Sequence, residues 1–468
     1  MTDSFSQKPI RKEIPASVPG DEGFDLNPDF IDEILTALDE QQTEHVLEQV
    51  IGLHYADAAV LIERLPSEQR NHLLKILQPS FNPEILPELD AAIREEVLEL
   101  FGYADFAALV AVLDSDDAVY LIDLLDSEES DKEMARLPAE QRHVIEQALA
   151  FPDYSAGRIM QRELVAVPGY WTVGEAVDYL RTAANMPDDF HALFVVDPRH
   201  RPLGTVRLSA LLKVRRTVLL RDIMSTEMKV IPTAMDQEDI ALLFRQRDLL
   251  AAPVVDASGR LVGCITVDDV VDVIDEEAED DMLRLAGLSE TSLYSAAMDT
   301  ARSRFTWLVV NLGTAVLASL VIGMFEATIE KIVALAVLMP IVASMGGNAG
   351  TQTLTVAVRG LAMKDLVPEN ARRVLWKEVL VGLLNGLAFA VMVGLVAWLW
   401  FDDGRLGVVI AAAMVINMVC AGLFGIAIPL VLERFKVDPA VSSTVFLTTV
   451  TDVVGFFSFL GLASLFLL

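Results

Sequence analysis

Apolar and polar positions follow two regimes along the 468-residue chain. From about residue 305 the apolar positions run nearly unbroken in five stretches: 305–325, 333–358, 377–401, 406–432 and 440–468. Each is long enough to predict a helix that crosses a bilayer. The links are short or charged: Glu326 to Lys331, Arg359 to Trp376, Asp402 to Arg405, and Glu433 to Pro439. Earlier in the chain apolar residues come periodically. Residues 30–150 predict short amphipathic helices with acidic outer faces, and residues 155–277 alternate strand and helix signals, with Pro or Gly before the strands.

Both soluble stretches are internally repetitive. Leu65-Pro66-Ser67-Glu68-Gln69-Arg70 returns as Leu137-Pro138-Ala139-Glu140-Gln141-Arg142, and His54 to Ala59 resembles Ser115 to Tyr120. Stacked helix pairs in a small superhelix fit this pattern. In the second stretch Ile159-Met160 opens one unit and Ile223-Met224 the next. Val195-Val196-Asp197 with Gly204-Thr205-Val206 matches Val254-Val255-Asp256 with Gly263-Cys264-Ile265. This duplication resembles a tandem pair of CBS (cystathionine-β-synthase) modules, a regulatory type that often binds adenine nucleotides. The resemblance places Thr266, three residues before Asp269, at the ribose-contacting end.

Charge divides the chain at the same place. Residues 301–468 hold 11 basic and 10 acidic side chains, leaving 25 basic and 58 acidic in 1–300: net +1 against net −33. So acidic a surface repels nucleic acid and attracts cations. Cys264 and Cys420 make neither a disulfide framework nor a CxxC site, and all six histidines precede residue 201. No nucleophile constellation, catalytic dyad or phosphate loop points to an enzyme. Residues 1–28 read as a disordered tail with no signal or transit peptide, which suggests a bacterial inner membrane. One set of span ends carries Arg302, Arg304, Arg359, Lys364, Arg372, Arg373, Lys377, Arg434 and Lys436, and the other only Lys331 and Arg405. The excess of positive charge inside puts the N-terminus in the cytoplasm and the C-terminus outside.

Asp452 lies near the middle of the fifth stretch. A carboxylate at membrane depth is expensive and faces a cavity or bundle interior, where it handles ions or protons. Five spans with one such carboxylate are a thin scaffold for a pore, whereas a homodimer supplies ten spans and two carboxylates near a two-fold axis. At about 6 Å these would repel by roughly 3 kcal/mol at an effective dielectric of 20, so a cation or a proton belongs between them. The second stretch carries Pro340 and then Ser344-Met345-Gly346-Gly347-Asn348-Ala349-Gly350-Thr351-Gln352. Its glycines allow close backbone approach and its amides and hydroxyls offer uncharged oxygens, as a pore wall needs. Asn385 and Asn417, on the third and fourth stretches, read more readily as structural.

Between the repeats and the first stretch lies an acidic helix. Asp268, Asp269, Asp272, Asp275, Glu276, Glu277, Glu279, Asp280 and Asp281 fall within 14 residues, with Asp269, Asp272, Glu276 and Asp280 on one face. Oxygen-only clusters suit Mg²⁺ or Ca²⁺ rather than soft metals. The helix is expected to continue to about Ala301 and so to link sensor and pore.

The order of parts, with Met345 to Gln352 on the second stretch and Asp438-Pro439-Ala440 then Thr448-Thr449-Val450-Thr451-Asp452 on the fifth, resembles the MgtE family of magnesium channels and transporters. The likeness covers nearly everything after residue 28. It implies a multidomain fold: an all-α superhelical N domain (29–150), an α/β CBS pair (151–277), an acidic connecting helix (278–303) and a pore domain of five transmembrane helices per subunit (304–468). It implies a homodimer in the lipid bilayer whose Asp452 holds hydrated Mg²⁺, with Gly347, Asn348, Thr448 and Thr449 lining the pore. It further implies regulatory Mg²⁺ on Asp269, Asp272, Glu277, Asp280, Asp281, Glu238, Asp248 and Asp438, with Asp116 and Asp117 as further candidates, and ATP or another adenine nucleotide in the CBS pair. The chain departs from the family where Ser442-Ser443-Thr444 replaces a proline commonly found before the paired threonines. A broader carrier of Co²⁺, Ni²⁺ or Mn²⁺, a membrane-anchored sensor and a proton-coupled carrier are the competing readings.

Overall fold

The computed structural model describes residues 26–468 except 124, 126, 184, 185, 188, 189, 289–293, 295, 296, 441 and 442. The expected tail therefore lies almost wholly outside the described residues, and the first helix already begins at Pro28. The chain divides into two compact units, Met1–Val273 and Ile274–Leu468.

The first unit opens with short helices from Pro28–Asp39 to Ala139–Leu149. The repeated Leu-Pro pair is a helix-start device. Pro66 and Pro138 are the N-caps of helices Ser67–Leu77 and Ala139–Leu149, and Leu65 and Leu137 are buried in the core just before them. Proline lacks an N–H and has a fixed φ, so it suits the edge of a helix, where that donor has no partner. Arg94 is buried, and its guanidinium donates to the carbonyls of Leu86 (2.9 Å) and Pro87 (3.2 Å), which a short helix leaves open.

The CBS pair forms two three-stranded sheets. In the first, β1 (Ala166–Pro168) runs parallel to β2 (Ala192–Val196), which pairs antiparallel with β3 (Pro202–Arg207). β4 (Ile231–Pro232), β5 (Ala251–Val255) and β6 (Leu261–Thr266) repeat this order, down to an irregularity at Val195/Val196 and again at Val254/Val255. The repeated Ile-Met pairs act reciprocally. Met160, from the start of the first unit, packs on Gly263 of the second, and Met224 packs on Gly204 of the first. A Cβ at Gly263 would stand 2.7 Å from the Gln161 carbonyl oxygen, and one at Gly204 2.5 Å from that of Ser225. Only glycine lets the strands bridge at Gln161–Cys264 and Thr205–Ser225.

The connecting helix runs Val267–Leu285 and stops there, in contrast to the expectation that it continues to Ala301. Gly287 has φ +71°, and the Leu288 amide donates back to the Leu283 carbonyl at 2.8 Å while the Gly287 amide donates to Arg284. This is a left-handed glycine stop, which a run of helix-forming acids cannot override.

Among the described residues the second unit contains five helical stretches long and apolar enough to cross a membrane: spans one to five, Thr300–Gly323, Ala334–Ala362, Pro368–Phe401, Gly404–Arg434 and Ser443–Phe466. The fourth is the most enclosed, packed against the second, third and fifth. Pro340 lies inside the second span without ending it.

Replacing Gly263 with Ala is expected to destabilise this duplicated module by about 1–3 kcal/mol, because the added Cβ meets the Gln161 carbonyl oxygen, which is backbone, as well as the Met160 side chain. Thermal unfolding of the full-length protein, followed beside the wild type, checks it; an unchanged midpoint contradicts the packing argument.

Candidate functional site

Two polar centres emerge, one in each unit. The first is a cleft of about 380 Å³ between spans two and five, lined by Ala343, Ser344, Gly347, Asn348, Thr351, Thr448 and Asp452. Of the residues expected at the pore, Gly347, Asn348, Thr448 and Asp452 come together here. Thr448 and Asp452 are four apart and share a helix face. Thr449 lies on the next ridge; its hydroxyl donates to the Val445 carbonyl at 2.6 Å and it does not border the cleft. Ser344 and Thr351 do border it.

The hydrogen bonds around this cleft have one polarity. The Thr351 hydroxyl donates to the Gly347 carbonyl (3.0 Å) and the Thr448 hydroxyl to the Thr444 carbonyl (2.9 Å). The Asn348 amide nitrogen donates to the Ser344 hydroxyl at 3.3 Å. The Thr351 and Thr448 hydroxyl protons and one Asn348 N–H are spent on the helices, so lone pairs of Thr351 and Thr448, the Asn348 carbonyl and the half-buried Asp452 carboxylate face the cleft beside the Ser344 hydroxyl. Among the described residues no basic side chain pairs with Asp452. Asn417, expected to be structural, is fully buried behind the cleft rather than on it, whereas Asn385 is exposed.

The second centre lies in the soluble unit, where two helix N-termini meet. Asp269, in the first turn of the connecting helix, accepts from the Thr266 amide (3.0 Å) and hydroxyl (2.7 Å). Thr266 is thus joined to the carboxylate that caps its helix. The side-chain amide of Gln161 completes this end, at 3.3 Å from the Thr266 hydroxyl and 3.5 Å from Asp269. Asp116 and Asp117 come from the first turn of helix Ser115–Asp123. Burial, then the charge of Asp269, pushes the Asp116 carboxyl well above the usual carboxylate range, and it shares a hydrogen bond with Asp269. Burial and the charges of Asp269, Asp114, Glu88 and Asp272 push Asp117 up to about 7. Burial likewise raises Asp269. Ser115, beside them, is held by Glu163, whose carboxylate accepts from the Ser115 hydroxyl at 2.7 Å and from the Arg162 amide at 3.0 Å. Sequence reasoning did not single out Gln161 or Glu163: they are 108 and 48 residues from their partners, and polarity alone does not mark them.

The remaining acidic candidates are dispersed. Glu238 lies in the first turn of helix Gln237–Arg247 and Asp248 ends it in the left-handed conformation, so the two stand at opposite ends. Within the second unit Arg284 bridges Asp438 and Asp280, the latter at 2.7 Å. Burial opposes its charge, but the bond to Asp438 and the carboxylates around it hold the guanidinium above its ordinary value. Burial and the nearby Asp438 and Glu277 raise Asp281. Close by, the Thr444 hydroxyl donates to the Leu285 carbonyl at 2.8 Å, tying the fifth span to the end of the connecting helix. Ser443 is buried and donates to Pro439; Ser442 lies outside the described residues. Among the described residues no group of three or more His, Cys, Asp and Glu side chains could hold a metal ion by protein ligands alone.

Fold and site together define a multi-pass membrane protein whose first unit carries a duplicated sheet module and whose second carries an oxygen-lined cleft between two spans. The family model described as a divalent cation transporter, MgtE, matches residues 339–462, the MgtE intracellular N domain matches 53–154, and CBS domains match 156–216 and 220–276. The magnesium transporter MgtE of Thermus thermophilus is 35% identical over 440 residues, 92% of this chain and 97% of that protein. That of Enterococcus faecalis is 33% identical over 438 residues, 93% and 96% respectively. Among solved structures, the cytosolic domain of the Mg²⁺ channel MgtE in complex with ATP is 29% identical, covering 52% of this chain and 99% of that one with a TM-score of 0.49. The chain belongs to the MgtE family, which is a family of transporters rather than enzymes.

Asp117 sets a pH dependence. Its folded-state value of about 7 lies above the ordinary 3.8, so its stabilising contribution is complete below about pH 4 and is lost as pH rises through 7. The loss is at most about 1.4 kcal/mol per pH unit. In chelator, the protection of the amides of helix Ser115–Asp123, that is, their exchange rate relative to the intrinsic rate at the same pH, is expected to fall between pH 4 and pH 7, and Asp117→Asn to flatten that fall. Equal slopes in both proteins would remove Asp117 from it.

Proposed function

We propose that this chain carries Mg²⁺ across the membrane and that Asp452 holds the ion through its water shell. The acceptor-rich lining of the cleft, with Asp452 as its one carboxylate, carries this reading. The shell of a divalent cation points its O–H bonds outward, and Mg²⁺ dehydrates reluctantly, so a wall of acceptors around one carboxylate suits the hydrated ion better than the bare one. Six waters at about 30 Å³ each occupy roughly 200 Å³, and the cleft holds about 380 Å³. Two relatives over 30% identical, each aligned across more than nine-tenths of its length, bear the name magnesium transporter.

In this reading two copies form the pore, each giving one Asp452, in a bacterial inner membrane with the soluble unit in the cytoplasm. Gating follows from charge. When cytosolic Mg²⁺ is scarce, the carboxylates of residues 1–300 repel and the connecting helix is released; when it is plentiful, the ions neutralise that surface and the helix holds the pore closed. Asp272, Glu277, Asp280 and Asp281 serve this on the helix, Asp116, Asp117 and Asp269 at its head, and Glu238, Asp248 and Asp438 around it. An adenine nucleotide on the CBS pair is a modulator, and Thr266 meets its ribose only by turning from Asp269. Carriage of Co²⁺, Ni²⁺ or Mn²⁺ as well is the second reading, since a site that grips water rather than metal discriminates weakly among hydrated ions.

Proteoliposomes holding wild type or Asp452→Asn test the pore. Wild-type uptake of Mg²⁺ is expected to fall to background leak in the mutant. Equal uptake removes Asp452 from the path, and no uptake by either folded protein favours a sensor. For gating, Asp272→Ala and Glu277→Ala, with Asp269→Asn to spare the helix cap, are expected to raise the Mg²⁺ concentration needed to close the channel. Unchanged closing in all three ends the gating model.

A further inference from the structure

Asn417 is the one wholly buried amide among the described residues of the five spans, with no exposed surface. It projects from the fourth span, and its side-chain nitrogen donates to the Val342 carbonyl of the second span at 2.8 Å. Its side-chain oxygen is buried and has no hydrogen-bond partner. Two glycines make room for it. A Cβ at Gly346, on the second span, would lie 2.1 Å from the Asn417 amide nitrogen, and one at Gly455, on the fifth, 2.8 Å from the same atom. The amide is therefore wedged where three helices meet, each partner stripped to backbone at the contact.

These glycines adjoin the transport cleft. Gly346 directly precedes the lining residues Gly347 and Asn348, and Gly455 lies three positions, about one helical turn, beyond Asp452. The geometry points to Asn417 as a positioning residue: from behind the cleft it fixes the spacing of the second and fifth spans, and with it the fit of Asp452 and Asn348 to the hydrated ion. This rests on the transport reading above. Stability alone does not call for the amide. A leucine of similar size would bury no orphaned oxygen, and the Val342 carbonyl it releases would keep its place in the helix of the second span. What leucine lacks is the single directed bond to Val342, which holds the wedge in one orientation. A rigid support for a site that must discriminate by water-shell geometry needs that bond.

The test compares wild type, Asn417→Leu and Asn417→Ala in proteoliposomes, measuring Mg²⁺ uptake against concentration and the competition of Mn²⁺ with Mg²⁺. A positioning role predicts folded variants that keep most of their maximal flux. Their half-saturating Mg²⁺ rises about tenfold, the low end for outer-shell partners of a metal site, and their preference for Mg²⁺ over Mn²⁺ falls. Wild-type half-saturation and preference in a folded variant overturn the proposal. If the leucine variant does not fold, the alanine variant decides; if neither folds, Asn417 serves folding and the proposal also fails. Asp452→Asn in the same series keeps the two claims apart: loss there with normal behaviour at Asn417 sinks only the positioning role, whereas wild-type uptake by Asp452→Asn sinks the site on which it depends.

Discussion

Carboxylate charge without an adjacent cation is the constraint on which this molecule turns. The first 300 residues carry a net −33, and Asp452 places one more carboxylate on an otherwise apolar span. Three physical answers appear in one chain. At the head of the connecting helix the charge is met by capping and by protons: Asp269 accepts from Thr266, and Asp116 and Asp117 are driven towards their neutral forms. At the helix end it is met by a tethered cation, Arg284, between Asp280 and Asp438. At Asp452 the surroundings are uncharged polar groups, and in the proposed function the answer there is left to the cargo.

The arrangement at the head of the helix is less costly than its charge count suggests. Asp116, Asp117, Asp268 and Asp269 all occupy first turns, where the helix dipole and unpaired amides favour negative charge. Two N-termini facing one another thus bring acids together while each keeps its own local stabilisation. What is left uncompensated is mutual repulsion, which a proton or a divalent cation can relieve. A centre of this kind is responsive because neither helix start supplies a fixed positive side chain.

Much of this is legible in the chain, for identifiable reasons. The five spans follow from unbroken apolar runs; Asp452 and Asn348 stand out because polar residues at membrane depth are rare, Gly347 because glycine allows close backbone approach, and Thr448 through the family resemblance. The duplicated CBS motif foretells the two sheets, since Gly204 and Gly263 hold equivalent strand positions. What sequence periodicity misses is phase and distance. Thr449 reads as the equal of Thr448 until the helix face is known. Asp116 and Asp269 are separated by 153 positions and meet only through the fold. The stop at Gly287 is written in the sequence, yet the acidic run before it argues for continuation, and a single left-handed glycine outweighs such a run. Asn417 shows the limit of polarity as a signal: an amide on an apolar span marks either a wall or the strut behind it, and only the glycines of the two neighbouring spans distinguish them.

The contrast between the two ends of the connecting helix bears on how the proposed gating divides its labour. Arg284 already compensates Asp438 and Asp280, so added metal gains less attraction there and must compete with a guanidinium that cannot drift away. The same end is joined to the fifth span through the Thr444 hydroxyl on the Leu285 carbonyl, one helical turn from Thr448 and two from Asp452. A joint closed by a tethered cation transmits movement without itself depending on ion concentration. At the head, where acids crowd two helix starts, the balance changes with every cation that arrives. In the proposed gating, the stronger response to ion concentration therefore falls to the head of the helix and the weaker one to its foot, because of where the chain places Arg284.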